Sequence, residues 1–178
     1  HDSVTSIDSC AFLNCSKLSK VTIPTSVTHI GGRVFKDTPW LDKQTENTPL
    51  FIINNLIVDG TRCSGDVIIP EEVTEICPEA FSENDSIDSV TMSENVTSIG
   101  HEAFYECISL TDIHLPKNLN YIGGFAFSGT AWAKEQLKNN HMLIVNNTLL
   151  ESDLTGDIII PDNVTNIADN AFNFSNIT

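Results

Sequence analysis

Asp66, Asp112 and Asp157 hold comparable places along the chain, and carboxylates brought into one line invite a calcium site. Calcium needs several oxygens at about 2.3–2.6 Å from one ion. Residues two rungs apart in a stack of parallel strands are held roughly 9–10 Å apart, so Asp66 and Asp112 do not converge without further oxygens, and no metal is expected. The histidines His1, His29, His101, His114 and His141 show no metal-like spacing. No glycine-rich phosphate loop, HExxH motif or Ser-His-Asp constellation is present. Catalysis and a cofactor are therefore not expected. Cys10, Cys15, Cys63, Cys77 and Cys107 are an odd number with no CxxC pair. They read as reduced thiols rather than as a zinc site or a disulfide framework.

The residues left to consider are those of a surface, and a surface must be positioned by elements. The chain has 178 residues, 40% of them hydrophobic, which is enough for a continuous core. Its formal net charge is -15, with only 9 Lys plus Arg. Such an acidic balance argues against nucleic acid and anionic membrane as partners and favours basic ones. No apolar run is long enough to span a bilayer, so no membrane insertion is expected in this segment.

Internal repetition organises everything else. The phrase Val4-Thr-Ser-Ile7-Asp-Ser-Cys-Ala11-Phe12 returns from Val73 to Phe81, from Val96 to Phe104 and from Val164 to Phe172. Looser copies run from Val27 to Phe35 and from Leu119 to Phe127. Starts at 4, 27, 73, 96, 119 and 164 differ by 23, 46, 23, 23 and 45, so each long gap hides one degenerate repeat. The starts at 27, 96 and 164 also suggest a larger unit of about three repeats, 69 and 68 residues long. A period near 23 is that of a leucine-rich repeat and is too short for helix-pair repeats. Helical periodicity is not evident anywhere in the chain.

A second phrase, Leu18-Ser-Lys-Val21-Thr-Ile23-Pro24, alternates apolar residues with period two and stops at proline, so it reads as a strand. Ile87 to Met92 and Leu110 to Pro116 match it, and Val67-Ile-Ile-Pro70 and Ile158-Ile-Ile-Pro161 are shortened forms. Each proline is followed by two polar residues and then Val or Leu, a turn. Every repeat thus offers a strand, a turn, an extended Val-x-x-Ile piece and an Ala-Phe corner. One repeat cannot bury these side chains alone, whereas stacked neighbours bury them as columns. After the Ile stand Gly31, Gly100 and Gly123, which suit a left-handed or crowded backbone; Cys77 and Ala168 in the same place argue that positive φ is not required there. In the hidden repeats, Phe51-Ile-Ile53 and Leu56-Ile-Val58 flank Asn54-Asn55, and Leu143-Ile-Val145 and Thr148-Leu-Leu150 flank Asn146-Asn147. These predict two β-hairpins with type I′ turns, which replace or extend beyond the regular strand. Trp40 and Trp132 hold matching places beside them and read as core cover.

In the strand phrase the outward positions are Lys20, Asp66, Ser89, Asp112 and Asp157 on one side of the central apolar residue, and Thr22, Ile68, Thr91, His114 and Ile159 on the other. Stacked about 4.8 Å apart, they would form one stripe, acidic along one edge and mixed polar and apolar along the other. A basic or partly apolar protein segment would suit it. The opposing reading is an ordinary solvated strand face. Cys15, Thr38, Asn84, Cys107, Thr130 and Ser175 share one repeat position and are expected to bond backbone rather than to react.

The phrase carried from Val21-Thr-Ile-Pro24 to Phe35, and again from Val96 to Leu110, resembles the BspA-like leucine-rich repeat, as does Thr-Pro-Trp40 followed by a hairpin. The resemblance spans essentially the whole chain. It implies a curved, right-handed, β-rich solenoid of about 23-residue repeats with a strand-lined concave face and little helix. It also implies a secreted or surface-anchored microbial protein acting in adhesion or host-protein binding. Residues 1–178 are accordingly expected to be a single solenoid domain, part of a longer array. The expected function is a non-catalytic adhesion module binding a host or neighbouring surface protein. A structural spacer presenting another domain and a carbohydrate-binding surface module are the alternatives.

Overall fold

The computed structural model describes residues 3–173. In chain order the elements are β1 (Ser6–Ile7), β2 (His29–Ile30), α1 (Pro39–Thr45), β3 (Phe51–Ile53), β4 (Leu56–Asp59), β5 (Gly65–Ile68), β6 (Glu75–Ile76), β7 (Ile87–Thr91), β8 (Ser98–Ile99), β9 (Asp112–His114), β10 (Tyr121–Ile122), α2 (Ala131–Asn140), β11 (Met142–Val145), β12 (Thr148–Ser152) and β13 (Asn166–Ile167). They stack as a leucine-rich-repeat β-solenoid, as the repeat period requires.

Three columns run along the stack. The Val-x-x-Ile phrase builds the first, a parallel ladder in which Ile57 aligns with Ile76, Ile76 with Ile99 and Ile99 with Ile122. The strand phrase builds the second, where β5, β7 and β9 align Val67 with Val90 and Val90 with Ile113. The Ala-Phe corner builds the third. There alternate N–H groups reach the next turn, as in Phe81 to the Ala103 carbonyl at 2.8 Å and Phe104 to that of Ala126 at 2.8 Å. The remaining N–H groups close local turns, so the backbone donors are consumed without regular secondary structure. Translation by one repeat also superimposes the side chains. Phe81 and Phe104 stack with centroids 4.8 Å apart, and Phe104 and Phe127 at 5.7 Å.

The glycines after the Ile are explained by crowding. None of Gly31, Gly100 and Gly123 has positive φ. A Cβ on Gly100 would lie 2.4 Å from the Pro78 nitrogen, and one on Gly123 2.4 Å from the His101 nitrogen, in each case the corner of the preceding turn. Cys77 and Ala168 follow hairpins instead. Their N–H groups bond Ile57 and Leu149, after which the chain runs on as β4 and β12 rather than turning into a corner, and the space for a Cβ remains.

Both hairpins form, β3 with β4 and β11 with β12. Asn54, Asn55, Asn146 and Asn147 have φ of 48°, 69°, 45° and 61°, as a type I′ turn demands. The return strand replaces the Val-x-x-Ile rung, since β4 pairs with β6 and β12 with β13, while the outgoing strand is the addition.

The little helix expected takes the form of two short helices, and they stand where the strand phrase is missing. Thr38 caps α1 by accepting from the Leu41 N–H at 3.1 Å, with Pro39 at the first helical position, and Thr130 caps α2 by accepting from Ala133 at 3.0 Å. Seven and ten residues are too few for a helical period to show, and the caps carry the signal instead. One expectation is corrected: the larger unit is longer than three repeats. Thr38, Trp40, Phe51 and Asn54 recur as Thr130, Trp132, Leu143 and Asn146, each 92 residues on, which is four turns.

Candidate interaction surface

The outward face of the three-strand ladder is built by alternation. Val67 and Ile69 point inward, 8% and 2% exposed, which forces Ile68 between them outward at 74%. Register then sets its neighbours: Asp66, Ser89 and Asp112 lie in one line, and Ile68, Thr91 and His114 in the next. The Ser89 hydroxyl donates to Asp66 Oδ1 at 2.6 Å, fixing one acidic group on the face.

The other four stripe residues do not join this line. Lys20 and Thr22 are exposed, but their segment makes no strand pairing with β5. The N–H of Trp40 bonds the Leu18 carbonyl at 2.9 Å, so α1 takes the next place in that column. At the far side Trp132 bonds Leu110 at 2.8 Å, so α2 stands between β9 and the segment bearing Asp157 and Ile159. The single stripe expected from the sequence is therefore three patches, because helices are wider than strands and break the ladder.

The two shortened strand phrases that follow the hairpins share one more feature, which the repeat pattern did not bring out: the glycine before the Asp. Gly65-Asp66-Val67-Ile68-Ile69-Pro70 and Gly156-Asp157-Ile158-Ile159-Ile160-Pro161 are near-copies 91 residues apart. Gly65 and Gly156 have φ of 66° and 80°. A left-handed glycine thus leads the chain out of each hairpin turn into an Asp and an exposed Ile. Comparing the two hairpin units with each other, rather than with the regular repeats, would have found it. Ile159 is 87% exposed.

The other sequence candidates fall to structural roles. Asn84 Nδ2 donates to the Gly60 and Cys63 carbonyls at 3.0 and 2.9 Å, and Cys107 Sγ to Phe81 at 3.1 Å. Thr38 and Thr130 bond within their own caps rather than across turns. Ser175 lies outside the described residues. The thiols are free; burial pushes Cys63 up to about 11, Cys107 to about 12 and Cys77 higher still, which leaves them protonated. Trp40 packs edge-on against Phe35 and Phe51 at 4.6 and 5.5 Å, and Trp132 against Phe127 at 5.3 Å, so both serve packing. Tyr121 is exposed, but on the Val-x-x-Ile ladder. His141 Nδ1 lies 2.9 Å from Asp153 Oδ1, and His101 Nε2 3.2 Å from Glu102. Among the described residues no group of three or more His, Cys, Asp or Glu could hold a metal ion, and no helix is long and apolar enough to cross a membrane. Two carboxyls at the exits of the hairpins, Asp59 and Glu151, are raised above the usual carboxylate range, chiefly by burial.

This architecture defines a leucine-rich-repeat protein, a class whose extended surfaces commonly mediate protein interaction. The family model for the BspA type leucine rich repeat region, six copies of it, matches residues 1–83 and 52–178, and the chain belongs to that family. No curated protein matches it. Among solved structures, it is similar to the pneumococcal vaccine antigen PcpA, at 22% identity and a TM-score of 0.49 over 94% of this chain and 39% of that one. The leucine rich repeat protein of T. pallidum is similar at 20% identity and a TM-score of 0.48, over 69% of this chain and 61% of that one. A leucine rich cell surface protein from Faecalibacterium prausnitzii A2-165 is similar at 23% identity and a TM-score of 0.47, over 100% of this chain and 51% of that one. The chain thus spans between 39% and 61% of the length of these proteins.

Proposed function

We propose that this chain is a non-catalytic interaction module of a secreted or cell-surface protein, binding a protein partner through the outward face of β5, β7 and β9. The observation that carries this reading is Ile68, 74% exposed beside the Asp66, Ser89 and Asp112 line. A large aliphatic group held in water by a rigid ladder gains free energy when a partner covers it. The flanking carboxylates favour a basic partner and speed its approach. The extracellular setting and the role in adhesion follow from what BspA-type repeats imply. A sugar ligand is less well served, because the strand face has no exposed aromatic platform.

The test is a binding screen against extracellular-matrix and plasma proteins, using the chain and its Asp66→Asn, Ile68→Ser, Asp112→Asn variant. Saturable binding that weakens by about tenfold or more in the variant, and with rising salt, is the expected result. Binding left at full strength by the triple change places the site elsewhere. No binding at all favours a spacer, with circular dichroism confirming that both proteins are folded.

A further inference from the structure

Ile68 and Ile159, at 74% and 87%, are the most exposed of the large hydrophobic side chains in the described residues. They are not scattered. Both occupy the fourth place of the Gly-Asp-x-Ile-Ile-Pro segment, each segment follows a helix and a hairpin, and the two are 91 residues apart. The matching place in the other turns holds Thr22, Thr91 and His114. Solvation accounts for those polar residues but not for isoleucine placed twice at the one outward position next to an insertion.

The surroundings are duplicated as well. An exposed Asp precedes each Ile by two residues, and a left-handed glycine precedes each Asp. Beside the second copy lies a groove of about 350 Å³, lined by Gln136 and Asn140 of α2, Met142, Leu143 and Ile144 of β11, and Pro161, which closes the Ile159 segment. The first copy has Gln44, Thr48, Leu50, Phe51, Ile52 and Pro70 in the corresponding places. The same kinds of side chain therefore recur at the corresponding sequence positions of the two units, uncharged and polar in the helix segment, apolar in the hairpin.

We infer that the chain is bivalent: Asp66 with Ile68, and Asp157 with Ile159, are two equivalent docking points for a cationic, partly apolar protein segment. This rests on the proposed reading of the chain as a protein-binding module and adds the partner chemistry and the number of contacts. The charge selects the occupant. Each isoleucine sits beside a carboxylate on a chain of net charge -15, so the complementary segment pairs an aliphatic or aromatic side chain with Lys or Arg. The spacing selects its form. Four turns at about 4.8 Å put the two points at least roughly 19 Å apart, and the width of α2 adds to this. One short peptide cannot reach both, so the partner is a tandem repeat or a surface that displays the segment more than once. Linking two weak contacts in this way raises affinity by about 10²–10⁴ without any new contact.

Isothermal titration calorimetry tests this with a short synthetic peptide alternating lysine and leucine, and with two copies of it joined by a Gly-Ser linker of about 16 residues, whose mean reach of roughly 20–24 Å matches the span. The native chain should take two single peptides, and Ile68→Ser and Ile159→Ser should each take one. The linked peptide should bind the native chain at least about 100-fold more tightly than either variant, and the double variant should bind neither peptide. Both substitutions are in water, so far-ultraviolet circular dichroism should be unchanged. A stoichiometry of one on the native chain, or two peptides retained by either variant, overturns bivalence while leaving a protein-binding role standing. No peptide bound by the native chain overturns the partner chemistry, and the protein screen then decides separately whether the module binds proteins at all.

Discussion

At the scale of single residues, two glycines are needed for different reasons, and substitution separates them. Gly100 has ordinary φ but no room, with the Pro78 nitrogen 2.4 Å from where its Cβ would sit. Gly65 has φ of 66° and nothing within 4 Å. Gly100→Ala should push two turns apart and cost about 3 kcal/mol, at the upper end of overpacking. Gly65→Ala carries only the strain of a left-handed residue, about 1 kcal/mol. Urea denaturation of the two variants measures the difference, and equal losses would show that crowding is not what selects Gly100. Many non-glycine residues in the corners also hold positive φ, among them Glu79, Glu83, Glu102 and Glu106. Their strain is offset by the ladder bonds their N–H groups make to the next turn, such as Glu79 to His101 at 2.9 Å and Glu106 to Ser128 at 2.9 Å.

At the scale of elements, α1 and α2 are held by cap and anchor. Thr130 is fully buried, accepting from Ala133 and donating to Phe127 at 2.8 Å, and Trp132 ties the helix to Leu110 and to the Phe127 ring. Thr130→Val keeps the volume and removes both bonds, so it should cost about 1–2 kcal/mol. Because α2 separates β9 from the Ile159 segment, the loss should appear first as faster amide exchange in α2 and β11. Uniform acceleration across β6 to β9 would instead show that the whole stack opens as one unit.

At the scale of the molecule, acidity and burial act together. Asp59 and Glu151, one per hairpin, and Glu75 are all raised, with burial the first cause in each. In the interval above their unfolded values the folded chain therefore holds more protons than the unfolded one, and stability falls as pH rises through the ordinary carboxylate range into the raised values. Self-repulsion of a chain with net charge -15 acts in the same direction. The melting temperature should rise as pH is lowered from 7 toward 5. Asp59→Asn with Glu151→Gln should raise it at pH 7 and flatten the slope, as thermal denaturation across that range would show. An unchanged slope would assign the effect to net charge alone.

The sequence by itself determined the repeat, its period, the strand phrase, the hairpins and the family, because each is a local pattern written several times. A Val-x-x-Ile rung that recurs every 23 residues has one economical way to bury its side chains, and an Asn-Asn pair between apolar runs has one favoured turn. It also set which strand residues face outward, since alternation around Val67, Val90 and Ile113 leaves no choice. Only the tertiary structure decided which of those residues share a surface. Lys20, Asp66 and Asp157 are equivalent in the repeat, yet α1 and α2 stand between them. The helices were invisible to periodicity because two or three turns held by a threonine cap and a tryptophan anchor leave too short a pattern. The reason for the glycines was likewise not local: the atoms that exclude a Cβ from Gly100 belong to Cys77 and Pro78, one turn away in the stack.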